Sequence, residues 1–281
     1  MKITGIVCEY NPFHNGHLYH LKKTRENGAT HIVAVMSGNY VQRGDTAVMD
    51  KFERAKLAVK GGADLVIEIP TVYALSSAEF YAKGAIYILD SLGCVDEISF
   101  GSEAGSVSEL EKAAEIADEC SGAPELEEYL KSGMSYPNAI NTMIYSSYGK
   151  KLSNRISDIL ASPNNVLAVE YLKALRRLNS SITPFTIQRK SAAHDSMTVL
   201  DGISSASYIR KCMNEKSDFS GLVPAYVSQA YINAYSAGKT ADISNLERII
   251  IYKLRTSSPE ELREIPDVGQ GLEYRILAAA D

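Results

Sequence analysis

Apolar residues recur along the first hundred positions in two alternating rhythms. Lys2 to Glu9 is rich in Ile and Val and alternates loosely, as a strand does. His31 to Met36 is almost wholly apolar, the pattern of a strand buried on both faces. Asp64 to Pro70 and Val95 to Phe100 repeat the theme, and Pro184 to Arg189 supplies a fifth such run. Between them the period lengthens. His17 to Glu26, Asp50 to Lys60 (apolar stripe Phe52, Ala55, Leu57, Ala58, Val59) and Ser77 to Leu92 read as helices. The last of these is capped by Ser76 or Ser77 and closed by Gly93. This alternation predicts an α/β fold: a doubly wound, Rossmann-like parallel sheet of about five strands, covered by helices on both faces.

From Ser106 the pattern turns helical, with a break at Ser121-Gly122-Ala123-Pro124, and predicts a helical insertion over about 106–160. Asn165 to Leu178 and Ser204 to Met213 are further helices. After Leu222-Val223-Pro224 the rest is helical with no clear strand. A soft boundary near 216 gives an α/β domain over 1–215 and a helical C-terminal segment over 216–281.

Composition narrows the class. Of 281 residues, 45% are hydrophobic and 22% charged, as in globular proteins. No apolar run approaches the roughly 20 residues of a membrane span, and no membrane partner is expected. Met1 to Val7 is too short, and lacks the cleavage site, for a signal peptide. Cys8, Cys94, Cys120 and Cys212 are scattered without a C-x-x-C pair, which argues against disulfides and Cys-based zinc and for a reducing cytoplasm. The formal net charge of −5 is wrong for a domain that grips nucleic acid mainly through phosphates. An RNA substrate would need a local patch or further chain.

The richest chemistry lies in "CEYNPFHNGHLYHLK", residues 8 to 22. A strand ends near Cys8, an Asn11-Pro12-Phe13 turn follows, and a helix starts near Gly16. In a doubly wound sheet the ligand crevice lies beyond the carboxyl ends of the strands, beside such a turn. A helix start there offers free N–H groups and a partial positive charge, which suit a phosphate. Gly16 allows close backbone approach. His14 and His17 are placed to donate to the oxygens of an attacked phosphate. Zinc is disfavoured: the spacing is three, and no H-E-x-x-H or C-x-x-C accompanies it. His20 reads as an ordinary helix residue, and Cys8 as a buried apolar cysteine.

His14-Asn15-Gly16-His17 resembles the H-x-G-H signature of the nucleotidyltransferase superfamily. With "GIVCEYNPFHNGHLYHL", "MSGNYVQRGDTAVMDKFERAKLAVKGGADLVIEIP" and "SPNNVLAVEYLKAL", the chain resembles the bacterial tRNA(Met) cytidine acetate ligase family from residue 3 to its end. The resemblance implies an ATP-binding domain over 1–215 and a two-step reaction. Acetate attacks the α-phosphate of ATP, giving acetyl-adenylate and pyrophosphate. The acetyl group then passes to the exocyclic amine of the wobble cytidine in elongator tRNA(Met).

The resemblance further implies catalytic roles for His14 and His17. It implies ATP contacts along Val7, Cys8, Glu9, Tyr10, Asn11, Pro12, Phe13, His14, Asn15, Gly16, His17, Leu18, Tyr19 and His20. Gly101, at the end of the fourth strand, suits a backbone packed on adenine or a plain strand-ending turn; the resemblance favours ATP. Either Asn164 or Asn165 could cap the next helix. The resemblance implies that one touches the nucleotide, with Asn164 favoured. Arg189, at a strand's carboxyl end, carries a fork suited to phosphate or carboxylate, and the resemblance makes that ATP. Ser204, Ser205, Arg210 and Lys211 form a serine-capped, basic helix start that resembles the I-S-S-T-x-I-R element of adenylyltransferases, with Ala206 where that pattern has Thr. A magnesium ion bridging the phosphates is expected. No protein metal site and no P-loop is expected.

The loop Ser37 to Asp45 is long and polar, so a substrate role is plausible, with Arg43 as a carboxylate ligand and Asp50, Lys51 and Arg54 on the next helix. Two rivals remain at this stage. One is a cofactor adenylyltransferase on the same fold, which predicts no acetate dependence. The other is a non-catalytic tRNA-binding module, which predicts no ATP binding. The family is typically longer, with a basic helical C-terminal portion that contributes to tRNA binding. Leu277 to Asp281 read as mid-helix, so a truncated or divergent C-terminal segment is expected.

Overall fold

Five parallel strands in the order β5-β2-β1-β6-β7 form the central sheet of the computed structural model, which describes residues 1–42, 44–189, 202–265, 268–269 and 271–280. The strands are β1 (Ile3–Cys8), β2 (His31–Ser37), β5 (Leu65–Ile69), β6 (Glu97–Ser102) and β7 (Thr183–Gln188). Two very short strands, β3 (Tyr40–Val41) and β4 (Asp45–Thr46), pair antiparallel as a separate hairpin. The register runs Ile3 opposite His31 through Cys8 opposite Met36, and Glu97 opposite Thr183 through Ser102 opposite Gln188.

The order explains where a ligand belongs. From β1 the chain winds outward through β2 to β5, then returns to the other side of β1 with β6 and β7. The winding reverses beside β1, and in doubly wound sheets the loops leaving neighbouring strands diverge at such a point and a ligand binds between them.

Side-chain alternation divides the core into two layers. Val33, Val35, Ile98 and Phe100 face α4 (Ala78–Ser91), α5 (Val107–Gly122), α7 (Tyr136–Leu160) and α8 (Pro163–Leu178). Ile6, Cys8, Ile32, Ala34 and Met36 face α1 (Asn15–Glu26), α2 (Lys51–Lys60), α9 (Ala206–Asn214) and α10 (Ala225–Ser236). Short α3 (Thr71–Ala74) follows Pro70, and α6 (Glu125–Lys131) lies within the expected helical insertion, beside α7.

Helix α2 departs from its expected stripe. Phe52 and Val59 are 70% and 50% exposed, while Arg54, Leu57 and Ala58 are buried. The buried set is itself an i, i+3, i+4 face. It includes an arginine because carbonyls at the strand ends satisfy its charge, as described below.

One compact unit runs from Met1 to Thr240 and a second begins at Ala241. Residues 202–236 thus contribute to the α1–α2 layer through Ile209, Met213, Val223, Val227 and Tyr231. The second unit comprises a 3-10 turn (Ile243–Leu246), α11 (Glu247–Thr256), α12 (Pro259–Arg263) and α13 (Leu272–Ala280). Its buried Glu273 accepts from Arg263 Nε at 2.9 Å, and Ser258 and Glu261 form a capping box on α12. No described helix is long and apolar enough to cross a membrane.

Candidate functional site

The turn after β1 is folded by its own side chains. Tyr10 sits at φ 47° and Asn11–Pro12 is cis. The Tyr10 ring packs edge-on to Phe13 at 4.9 Å and to His17 at 4.8 Å, all of it against the α1–α2 layer. The buried Asn11 amide accepts from Val48 N at 2.8 Å and so ties the turn to the segment after the hairpin. Its backbone carbonyl accepts from Arg210 at 2.8 Å.

His14 caps α1 with its ring. Its Nδ1 accepts from Gly16 N at 3.0 Å, while its own backbone N–H donates to His17 Nδ1 at 3.2 Å. This is a capping box built from two histidines. A Cβ at position 16 would lie 2.8 Å from His14 Cε1, so the intervening glycine is what lets the ring fold back over the helix start. The rings stack with centroids 3.7 Å apart. Because both Nδ1 atoms accept, both protons reside on Nε2. Each ring therefore keeps one N–H donor beyond its capping bond.

Electrostatics keep these rings neutral. Burial, with the Arg189 and Arg210 charges, pulls His14 down to about 3. Burial, His14, Arg189 and His20 hold His17 well below the ordinary imidazole value. Burial and Arg189 pull His20 to about 4. The unfolded chain, titrating near 6.5, takes up protons before the folded one does. Stability is thus fully present above about pH 6.5 and is lost as pH falls toward the folded values. Urea midpoints between pH 7 and pH 4.5 should fall accordingly. His20→Gln, which can keep a bond to Ser99, should flatten the slope by one histidine's share.

His20 Nε2 lies 3.0 Å from Ser99 Oγ, which also meets Thr24 Oγ1 at 2.8 Å. It anchors α1 to β6, in keeping with an ordinary helix residue. Asn15 Nδ2 donates to both Gly202 O and Gly221 O at 3.0 Å, holding the segment that leads into α9. Val7 packs in the α4–α8 layer, Cys8 Sγ lies 3.7 Å from Val35 O, Leu18 is exposed, and Tyr19 carries Lys23 over its ring.

Arg189 follows β7 and crosses the face of Gly101, where a Cβ would sit 3.3 Å from Arg189 Cγ. Its NH1 donates to Asn164 Oδ1 at 3.4 Å, and Asn164 donates to Glu103 Oε1 at 2.6 Å. The two asparagines differ sharply. Neither caps α8, whose N-cap is Ser162. Asn165 is buried, and its Oδ1 accepts from Glu103 N and Ala104 N at 2.9 and 3.1 Å. Asn165→Ala should cost about 2 kcal/mol by stranding two amides, whereas Asn164→Ala should stay within about 0.5 kcal/mol in urea melts.

Ser205 caps α9 by accepting from Tyr208 N at 3.1 Å. The neighbouring Ser204 Oγ is buried with no partner among the described residues. Arg210 turns back to the Asn11 carbonyl, whereas Lys211 is exposed and lies 3.8 Å from Glu215 Oε1. Arg43 lies outside the described residues.

Arg54, named from the sequence only beside a possible substrate loop, has a structural place that the sequence did not show. Its side chain is fully buried and donates to Met49 O at 3.2 Å, to Ser37 O at 2.9 Å, and to the Glu9 and Gly38 carbonyls. No carboxylate among the described residues pairs with it directly. It thus fastens the ends of β1 and β2 to the start of α2. A cavity of about 260 Å³ between α4 and α8 is lined by Glu79, Glu170, Lys173 and Arg177, but these pair among themselves and include none of the expected site residues.

A helix start at the switch point, two neutral N–H donors and flanking guanidinium groups thus come together at the turn after β1. A family model described as HIGH Nucleotidyl Transferase matches residues 1–281. The tRNA(Met) cytidine acetate ligase of Thermoanaerobacter sp. (strain X514) is 45% identical over all of this chain and 70% of its own length. That of Acetivibrio thermocellus is 41% identical, with the same coverage. The apo crystal structure of Thermotoga maritima TmcAL superposes with a TM-score of 0.91 at 34% identity, covering 100% of this chain and 68% of that one. A second crystal structure of that protein, bound with alpha-thio ATP, gives 0.88 at 34% identity, covering 100% and 67%. The chain belongs to the HIGH nucleotidyltransferase family and, within it, to the tRNA(Met) cytidine acetate ligases.

Proposed function

We propose that this chain is an ATP-dependent acetate ligase that forms acetyl-adenylate and acetylates the wobble cytidine of elongator tRNA(Met). The observation that carries the reading is the doubly capped histidine pair at the start of α1, whose two Nε2–H donors remain for an anion. Neutral imidazoles donate without having to lose a proton, and their low proton affinity holds them in that form at neutral pH. As acetate attacks, charge builds on the α-phosphate oxygens, and two fixed donors stabilise that state more than the ground state. Acetate is already ionised at neutral pH, so this step needs no general base.

Arg189, Asn164 and Gly101 form the nucleotide side of the crevice, with Gly101 offering a flat backbone for adenine. The unpartnered Ser204 hydroxyl, the Ser205 cap and Arg210 serve the outer phosphates and the departing pyrophosphate. Lys211 acts at longer range, after release from Glu215. No three His, Cys, Asp or Glu among the described residues cluster to hold a metal. A magnesium ion carried in with the ATP phosphates would offset the charge of the leaving pyrophosphate. A tRNA substrate supports a cytoplasmic location.

The test is exchange of labelled pyrophosphate into ATP with acetate present or omitted. Acetate-dependent exchange supports the reading. No exchange despite measurable ATP binding would instead favour an adenylyltransferase with another nucleophile.

A further inference from the structure

The three groups assigned to the nucleoside side, Gly101, Arg189 and Asn164, leave half of the sheet edge unused. Gly101 ends β6, Arg189 follows β7 and Asn164 opens α8, so all lie on the β6–β7 side of β1. The carboxyl ends of β2 and β5 lie on the other side of β1, and the β3–β4 hairpin follows β2 there. That half is left for the acyl group and its acceptor. Acetyl transfer has a requirement that adenylation lacks. The attacking cytidine amine must shed a proton, so a basic group is needed on this side.

Carboxylates here differ in what holds them. Glu68 pairs with Lys51 at 2.5 Å, Asp50 caps α2, and Asp45 accepts from Thr46 N at 2.7 Å. Glu9 directly follows β1, five positions before His14. Its Oε1 accepts from Gln42 N at 2.8 Å, which orients the carboxylate, while Oε2 takes no hydrogen bond from the described residues. The charged and titratable groups around it are Arg54 from α2, Cys8 from β1, Tyr81 from α4 and Tyr171 from α8. Arg54 also holds Glu9's own carbonyl, so the residue is fixed at both ends.

We propose that Glu9 is the proton acceptor of acetyl transfer, an assignment that rests on the acetate ligase reading. The amine nitrogen attacks the acetyl carbonyl carbon with its lone pair. The bond from that carbon to the adenylate oxygen breaks, and AMP leaves with the electron pair. The proton lost by nitrogen goes to Glu9 Oε2, and thence to solvent. No further reactant is required.

The test compares wild type with Glu9→Gln, which keeps an acceptor for Gln42 N, and with Glu9→Asp. Two rates are measured on each: acetate-dependent ATP–pyrophosphate exchange, and single-turnover transfer of labelled acetyl to elongator tRNA(Met). The ratio of transfer to exchange should fall at least about 30-fold in Glu9→Gln, within the usual range for loss of a general base, and recover in part in Glu9→Asp. Exchange reports folding and nucleotide use in the same samples. Equal loss of both rates would make Glu9 a nucleotide contact only and overturn the proposal. So would an unchanged ratio, or wild-type exchange without any transfer. Absence of acetate-dependent exchange in wild type would instead overturn the parent reading.

Discussion

His17→Ala is expected to lower acetate-dependent ATP–pyrophosphate exchange by about 100- to 1,000-fold, the usual cost of removing one fixed donor from a developing oxyanion. The loss should appear in kcat more than in the KM for ATP, because the Nε2–H acts most strongly when charge builds on the α-phosphate. The substitution also strips the His14 backbone N–H of its acceptor, at a cost of about 1 kcal/mol in stability. His17→Gln separates the two effects. A glutamine at the third helical position can reach back to the cap amide, so stability should recover while exchange stays low. If His17→Ala keeps more than about a third of wild-type exchange, the paired-donor mechanism fails.

Arg54→Met should destabilise the fold by about 3 kcal/mol or more, the second largest effect anticipated. Four carbonyls lose their donor at once, and each buried orphan costs about 1–3 kcal/mol before relaxation and hydration reduce the sum. Arg54→Lys should recover only part, since a single ammonium cannot span carbonyls that a planar fork reaches from several sides. Urea unfolding of the three proteins reads this directly. A loss under about 1 kcal/mol would mean that water replaces the guanidinium with ease.

Arg54 also marks where the sequence stopped being readable. The five strands were legible because parallel strands covered on both faces are written as apolar runs, and the loops between them were bounded by glycine, proline and caps. The turn between β1 and α1 was legible because strand, turn, glycine and helix follow one another closely. Partners far along the chain were not. Periodicity marks a face of α2 but cannot say that the arginine on that face meets strand-end carbonyls while Phe52 meets solvent. The β3–β4 hairpin escaped notice because strands of two residues carry no period; Glu9 holds its turn through Gln42 N, and Asn11 and Asn39 fix the segments on either side through Val48 N and Lys51 N. Asn164 and Asn165 looked equivalent because adjacent helical residues of one type are told apart only by what lies opposite. The two Nδ1 acceptors on the histidines, and the tautomers they impose, needed coordinates as well.

The asparagine inside the histidine motif has a bearing on how the protein is made. Asn15 grips a carbonyl 206 positions away, and Arg210 reaches back 199 positions to Asn11. A nascent chain that has released only its first two hundred residues can assemble all five strands, yet its phosphate turn still lacks one wall. Nucleotide affinity should therefore emerge late in synthesis, once the segment through Leu222 has left the ribosome.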